Sequence, residues 1–561
     1  MIFRIRRTVG ILTAASALVF AGGFAQSQSD TDATPTPAGA TATANVDPER
    51  QQEISRVEVV RFSLPALVGF NSSPLLKLKI ETTGKLNPIS LTTIQASLNG
   101  TLAASEVSGL MICQGDVNGS FAKDRKSCDT SVRPIASTAD NAGFILSCSP
   151  EACQLAEGVN FVWVIGKLSE NADIDRLTGM TCKQITFSDG RKIETDAAST
   201  VQRLGVALRN GGDDGVHTYR IPGLARTNSG TLIGVYDIRR RSGRDLPGDL
   251  DVGLSRSTDG GRTWEPMRVI MDMGDDPQWQ YDGIGDPAIL VDRNTGTIWV
   301  AATWSHGNRS WKGSGPGLTP EETGQLMLVS SDDDGVTWSQ PVNITRQMKR
   351  TEWCFLLQGP GNGITMRDGT LVFAAQYQDT PEAKRLPRST IIYSKDHGLT
   401  WQIGTGARDS TTEAQVAETE PGVLMLNCRY DLKPARVVMT TRDMGATWQT
   451  HPTSETALIE PVSCMASLID VDRETGKDFG GWLLFSNPDS TTVRHRMMIK
   501  GSTDHGLTWP KEYQLLLDEG DSSGYSSLTM IDHETIGILY EGSQAHLTFQ
   551  RIPLRDVIKG N

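Results

Sequence analysis

A chain of 561 residues is too long for one hydrophobic core, so two or three domains are expected. Its 38% hydrophobic and 21% charged residues suit a globular protein, and its 56 glycines suit many tight turns. The formal net charge of −12 argues against a nucleic-acid partner, which needs cations in bulk, but leaves room for a locally basic pocket that holds an acidic ligand.

In chain order, Arg4, Arg6 and Arg7 precede an apolar run over residues 8–22, and Gly23-Phe24-Ala25 supplies small residues after it. This pattern predicts a secretory signal over residues 1–25 and an exported product, whether periplasmic, cell-surface or secreted. The alternative, an uncleaved anchor helix, has a short run for a membrane span, and no later segment reaches about 18 apolar residues. Residues 26–50 are rich in Ser, Thr, Asp, Ala and Pro and read as a disordered linker. Between 51 and 200, short alternating stretches such as Leu76-Leu78-Ile80 against Leu75-Lys77-Lys79, and Phe161–Val164, predict a β-sandwich, either a spacer or a carbohydrate-binding module. Five cysteines fall in this half (Cys113, Cys128, Cys148, Cys153 and Cys182). The odd number leaves at least one free or paired elsewhere, and the spacings fit no zinc site.

From about 205 to 561 the chain repeats itself. Five segments match S/T-x-D-x-G-x-T-W, starting at Ser257, Ser331, Ser394, Thr441 and Ser502, with tryptophans 74, 63, 47 and 61 residues apart. That period fits one four-stranded propeller blade with its loops, and a sixth blade without the motif would be closed by the chain ends. The motif is structural. Its Asp bonds backbone amides, its Gly permits positive φ, and its Trp buries a large face that pins the hairpin to its blade.

These repeats resemble the Asp boxes of sialidases, which also occur in unrelated propellers. Activity is implied by other segments, which occur in family order: Tyr219–Leu224 (YRIPGL), Glu413–Arg429, Leu483–Arg494 and Gly524–Ile531. They resemble the bacterial exo-sialidases (neuraminidases) of glycoside hydrolase family 33 over essentially all of 205–560, and residues 70–100 resemble, more weakly, the β-sandwich that precedes the propeller in some of them. The resemblance implies an all-β fold, a six-bladed β-propeller preceded by a smaller β-sandwich domain. It also implies release of terminal sialic acid from sialylated glycans, glycoproteins or glycolipids, by a chain that is expected to be a monomer with no metal and no cofactor.

Sialic acid carries a carboxylate on its anomeric carbon, and planar, always-charged guanidinium groups hold a carboxylate best. By resemblance, Arg220, Arg429 and Arg494 form that clamp. Tyr525 matches the nucleophile of the family and Glu413 the group that accepts its proton. A phenol with a pKa near 10 needs such a base, and a neutral phenol avoids the repulsion that a carboxylate nucleophile would meet from the substrate. Sialidases are the known tyrosine exception among retaining glycosidases. The acid/base is matched by Asp245, 25 residues after Arg220, with Asp249 and Asp251 as nearby competitors. Arg239 resembles a contact to a ring hydroxyl, Asp286 a residue near the N-acyl pocket, and Gln358 a lining residue on the glycerol side. Trp304 and Trp311 are read as either an aglycone wall or packing. Transfer to another sugar, an internal attack giving an anhydro product, and a non-catalytic sialic-acid-binding propeller are the alternatives to hydrolysis.

Overall fold

The computed structural model describes residues 50–559 apart from 117–118, 120, 122–125, 128–129, 136–142, 275–281 and 478. The signal expected over 1–25 and nearly all of the linker expected over 26–50 lie outside the described residues. No described helix is long and apolar enough to cross a membrane.

Residues 53–198 form two facing sheets. One runs, in spatial order, Glu53–Val59, Ser73–Thr83, Gly158–Leu168, Val107–Gln114 and Lys126–Ser127; the other includes Leu177–Phe187, Leu91–Gly100, Gly143–Cys148 and Thr130–Ile135. The alternation of Leu76, Leu78 and Ile80 faces the core between the sheets, where they meet Leu91, Ile94, Met180 and Ile185. Each such side chain contributes about 1.5–3 kcal/mol by leaving water. Leu75 departs from the expected pattern. A register shift between Pro74 and Leu76 turns it inward, so that both leucines are buried.

Six blades of four antiparallel strands follow, two of them with an added short strand (Gly361–Asn362 and Ile364–Thr365). The first is Thr218–Arg226, Leu232–Arg239, Leu250–Ser257 and Arg268–Met271, each strand antiparallel to the one before. The next four repeat this order, with first strands at Gly283–Val291, Phe355–Gln358, Thr411–Glu420 and Ser467–Asp470. The sixth takes Ser526–Met530, Thr535–Tyr540 and Leu547–Pro553 from the end of the chain and Gln202–Arg209 from the start of the propeller. That same strand, Gln202–Arg209, pairs onward with Leu177–Phe187, so the sixth blade and one sandwich sheet are continuous. The Gln544 amide donates to the Pro65 carbonyl at 2.6 Å, and Glu519 N to Ser63 O at 2.8 Å, tying the two layers further.

Each S/T-x-D-x-G-x-T-W turn joins a third strand to a fourth. In the first, Asp259 accepts from Thr263 N at 2.9 Å and from its hydroxyl at 2.6 Å, and Ser257 Oγ accepts from Gly261 N at 2.8 Å. The sixth blade has no such turn because its third and fourth strands come from opposite ends of the propeller. The turns also bind differently from the expectation: they dock on the preceding blade as well as their own. The Trp264 ring meets Phe549 of the sixth blade at 5.0 Å. A Cβ on Gly261 would strike Phe549, one on Gly335 would strike Ile233, and one on Gly398 would strike Trp299, each belonging to the blade before. The five glycines have φ of 77–90°. The motif therefore fastens neighbouring blades together.

Candidate active site

Strand direction decides which residues meet. In each blade the first strand starts at one rim of the propeller, the second ends there and the third starts there. Arg220, Asp286 and Glu413 lie near the starts of first strands, and Tyr525 immediately precedes one. Arg429 lies near the end of a second strand, Arg494 just before a third, and Asp245 in the loop between a second and a third. All seven therefore arrive at the same rim, where they line one cavity of about 530 Å³.

Tyr525 occupies its floor. Its hydroxyl lies 2.7 and 2.6 Å from the two oxygens of Glu413, and Arg429 Nη1 donates to it at 3.0 Å. Arg429 Nη1 also donates to Glu413 at 2.7 Å. The guanidinium carbons of Arg220 and Arg494 stand 5.1 and 5.4 Å from the Tyr525 ring centroid. Burial and the Glu413 carboxylate push the phenol well above its ordinary range, against the pull of the three arginines. The hydroxyl is thus neutral at physiological pH and donates to Glu413.

The three arginines are held in different ways. Arg220 makes a two-point pair with Glu541, Nε at 2.8 Å and Nη2 at 3.2 Å. Arg494 donates to two backbone carbonyls, Ser523 at 2.8 Å and Ser463, the latter on a residue with φ of 70°. Arg429 leans on Glu413 and stands 3.5 Å from Asp431. The three guanidinium groups converge on one cavity, where an incoming carboxylate would add to the acids already paired with Arg220 and Arg429.

Asp245 stands at the mouth with its side chain 76% exposed, 2.7 Å from Arg239 Nη1 and 3.6 Å from Arg220 Nη1. Partial desolvation draws its pKa up, but Arg239 and Arg220 outweigh it and hold the carboxyl below the usual range. Its competitors are engaged elsewhere: Asp251 is buried against Arg240, and Asp249 pairs with Arg241 at 2.8 Å. Asp286 has φ of 57° and takes Asp237 Oδ1 as its amide's partner at 2.8 Å. Burial, then the neighbouring Asp237 and Glu413 carboxylates, raise its carboxyl well above the ordinary value.

Two expected contacts lie behind the cavity wall. Arg239 is 1% exposed and spends its donors on Asp237, the Gly243 carbonyl and Asp245, so it positions Asp245 from beneath. Gln358 is fully buried, and accepts from Thr303 and donates to the Asp286 carbonyl. The glutamine that does line the cavity is Gln376, on the neighbouring strand Leu371–Gln378. Its Oε1, like the Thr412 hydroxyl beside it, is buried without a hydrogen-bond partner among the described residues. Trp311 lines the cavity, whereas Trp304 is packed away with its indole N–H on Asp282 at 2.6 Å.

Glu541 went unnoticed in the sequence. At 2% exposure it accepts from Arg220, Ile221 N at 3.0 Å and Tyr525 N at 2.9 Å, joining the first and sixth blades beneath the site. It stands 321 residues from Arg220, and no local pattern marks it. Ile221 is held by it at φ of 58°, a strained value for a β-branched residue. Among the described residues, no group of three or more His, Cys, Asp and Glu side chains is placed to hold a metal ion.

Comparison with known proteins places the chain in a family. Residues 241–539 match the BNR repeat-like domain, and residues 54–191 match the N-terminal domain of BNR-repeat neuraminidase. A sialidase of Bacteroides fragilis is 50% identical over 418 residues, covering 72% of this chain and 75% of that one. A sialidase of Micromonospora viridifaciens is 33% identical over 338 residues, 59% of this chain and 50% of that one. Among solved structures, the Hadza microbial sialidase Hz136 superposes with a TM-score of 0.79 at 43% identity, over 89% of this chain and all of that one. With its ordered arginines, its repeats and these relatives, the chain belongs to the bacterial sialidase (neuraminidase) family of glycoside hydrolases.

Proposed function

We propose that this sialidase hydrolyses terminal sialosides with retention of configuration, through a covalent bond to Tyr525. The observation that carries the reading is the Tyr525 hydroxyl within 2.7 Å of both Glu413 oxygens, beneath three converging guanidinium groups. Arg220, Arg429 and Arg494 bind the sugar carboxylate. Tyr525 Oη attacks the anomeric carbon as its proton passes to Glu413. The glycosidic C–O bond breaks, and the departing oxygen takes the proton of Asp245. In the second half, Asp245 accepts a proton from water as that water attacks the same carbon, and Tyr525 leaves and recovers its proton from Glu413.

The electrostatics support this order. A carboxylate nucleophile would meet the substrate's carboxylate as a like charge, worth about 4 kcal/mol at 4 Å and an effective dielectric constant near 20. The neutral phenol does not. Arg429 donates to the phenolic oxygen as well as to Glu413, so it stabilises negative charge wherever the proton stands. The bound carboxylate also offsets the arginines that depress Asp245, so the acid gains its proton more readily in the complex.

Proton NMR of the first sialic acid released from an aryl sialoside tests the reading. The α-anomer is expected before mutarotation; initial β-anomer would mean single displacement and would remove the covalent step.

A further inference from the structure

A second pocket of about 420 Å³ opens beside the catalytic cavity and shares with it Trp311, Lys312 and Asp431. Its remaining walls are Gln378, Lys384, Arg385 and Pro387. Arg385 builds it: its guanidinium donates to the Trp311 carbonyl at 2.7 Å, to Ser314 O and to Gln378, tying the second-blade loop to the third blade. Lys384 and Arg385 are both held at positive φ, 56° and 55°, in a turn closed by Lys384 N to Pro381 O and Arg385 N to Thr380 O. The turn presents Lys384 to solvent. Among the described residues, neither Lys384 nor Lys312 has a carboxylate within 4 Å, whereas Asp431, the one acid in the wall, accepts from Ser463 and faces Arg429. The pocket is thus a basic chamber whose only carboxylate is occupied.

Its position says which end of a substrate reaches it. Asp245, which serves the departing oxygen, stands over the first blade. The chamber lies across the cavity, over the second to fourth blades. Gln376, with its unpartnered Oε1, and Gln378 are two residues apart on one strand and so point to the same side, the first into the cavity and the second into the chamber. The floor therefore continues from the sugar toward the lysines, away from the leaving group.

We propose that this chamber binds an anionic ester, a sulfate or a phosphate, carried on the hydroxylated side chain of the sialic acid, so that the enzyme prefers substrates modified there. The proposal rests on the hydrolase reading above. Two surface ammonium groups around one anion lower KM by about tenfold, and the gain shrinks at high salt.

The test compares kcat/KM for four aryl sialosides: unsubstituted, and bearing a methyl ether, a sulfate or a phosphate on the terminal side-chain hydroxyl. The wild type is expected to favour the sulfate or phosphate by about tenfold over the methyl ether, and whichever ester gains more identifies the source of the anion. Lys384→Glu should abolish the preference and Lys384→Arg keep it, both with the unsubstituted substrate turned over as by the wild type. No preference in the wild type, or one untouched by Lys384→Glu, overturns the proposal. If the unsubstituted sialoside is not hydrolysed at all, the hydrolase reading itself fails.

Discussion

Glu541→Gln removes one charge and no volume, yet it is expected to damage both stability and catalysis. In the wild type the carboxylate accepts from Arg220 Nε and Nη2, Ile221 N and Tyr525 N, at 2.8–3.2 Å. All four are donors. The glutamine's NH2 must face at least one of them, and Arg220 loses its buried counter-charge. Coulomb's law gives about 4 kcal/mol for such a pair at 4 Å and an effective dielectric constant near 20, and breaking buried pairs costs about 3–5 kcal/mol. Burial alone would raise the Glu541 pKa, but Arg220 and the amides hold it below the usual carboxylate range. A depressed carboxyl contributes stability that is present above its unfolded pKa, near 4.3, and lost as pH falls through its folded value. Thermal denaturation at pH 7 should therefore show a Tm several degrees lower for Glu541→Gln, and the gap should narrow below about pH 4. With Arg220 and the Tyr525 backbone both freed, kcat/KM for an aryl sialoside should fall by about tenfold or more. A variant with wild-type Tm across this pH range and unchanged kcat/KM would refute the reasoning.

Three other outcomes follow from the same geometry. Asp245 is depressed by Arg239 and Arg220 in the free enzyme, and acts as an acid only when protonated, so kcat/KM should decline with rising pH through a lower apparent pKa than kcat does. Asp245→Asn should lose both limbs and should slow alkyl sialosides far more than aryl ones, whose leaving groups need no proton; equal losses on the two would remove its role as acid. Asp396→Ala deletes the acceptor of Thr400 N at 2.9 Å and its hydroxyl at 2.6 Å, far from the cavity. It should lower Tm by the value of a lost cap, about 1 kcal/mol, and leave kcat/KM at 25 °C within twofold; a large loss of activity in folded protein would contradict a structural role.

The features legible in the sequence are those whose physics is local. The box turns close within eight residues, so Ser, Asp, Gly, Thr and Trp at fixed offsets announce them, and with them five of the six blades. What they fasten to was not legible, because Phe549 and Trp264 are far apart in the chain and meet only when the ring closes. The same holds in the site. Arg220, Arg429, Arg494, Tyr525 and Glu413 were found because their flanking segments resemble a family, and strand direction then brings them to one rim. Glu541 has no flanking pattern and acts across the closure of the propeller. Gln358 and Gln376 lie on paired strands of one blade, and only the sheet's geometry decides that the first is buried under Asp286 while the second borders the cavity. Leu75 was misjudged for a similar reason, since a bulge shifts one residue without a composition signal.

The central claim is the bond between Tyr525 and the sugar. A sialoside with a good leaving group and an electron-withdrawing fluorine beside the anomeric carbon slows the second step and lets an intermediate accumulate. Rapid acid quench, proteolysis and mass spectrometry should then find one fluorosialyl group on the peptide containing Tyr525, fragmenting to that residue, and none on Tyr525→Phe. An adduct on Glu413, or full turnover by Tyr525→Phe with no adduct anywhere, would contradict the account.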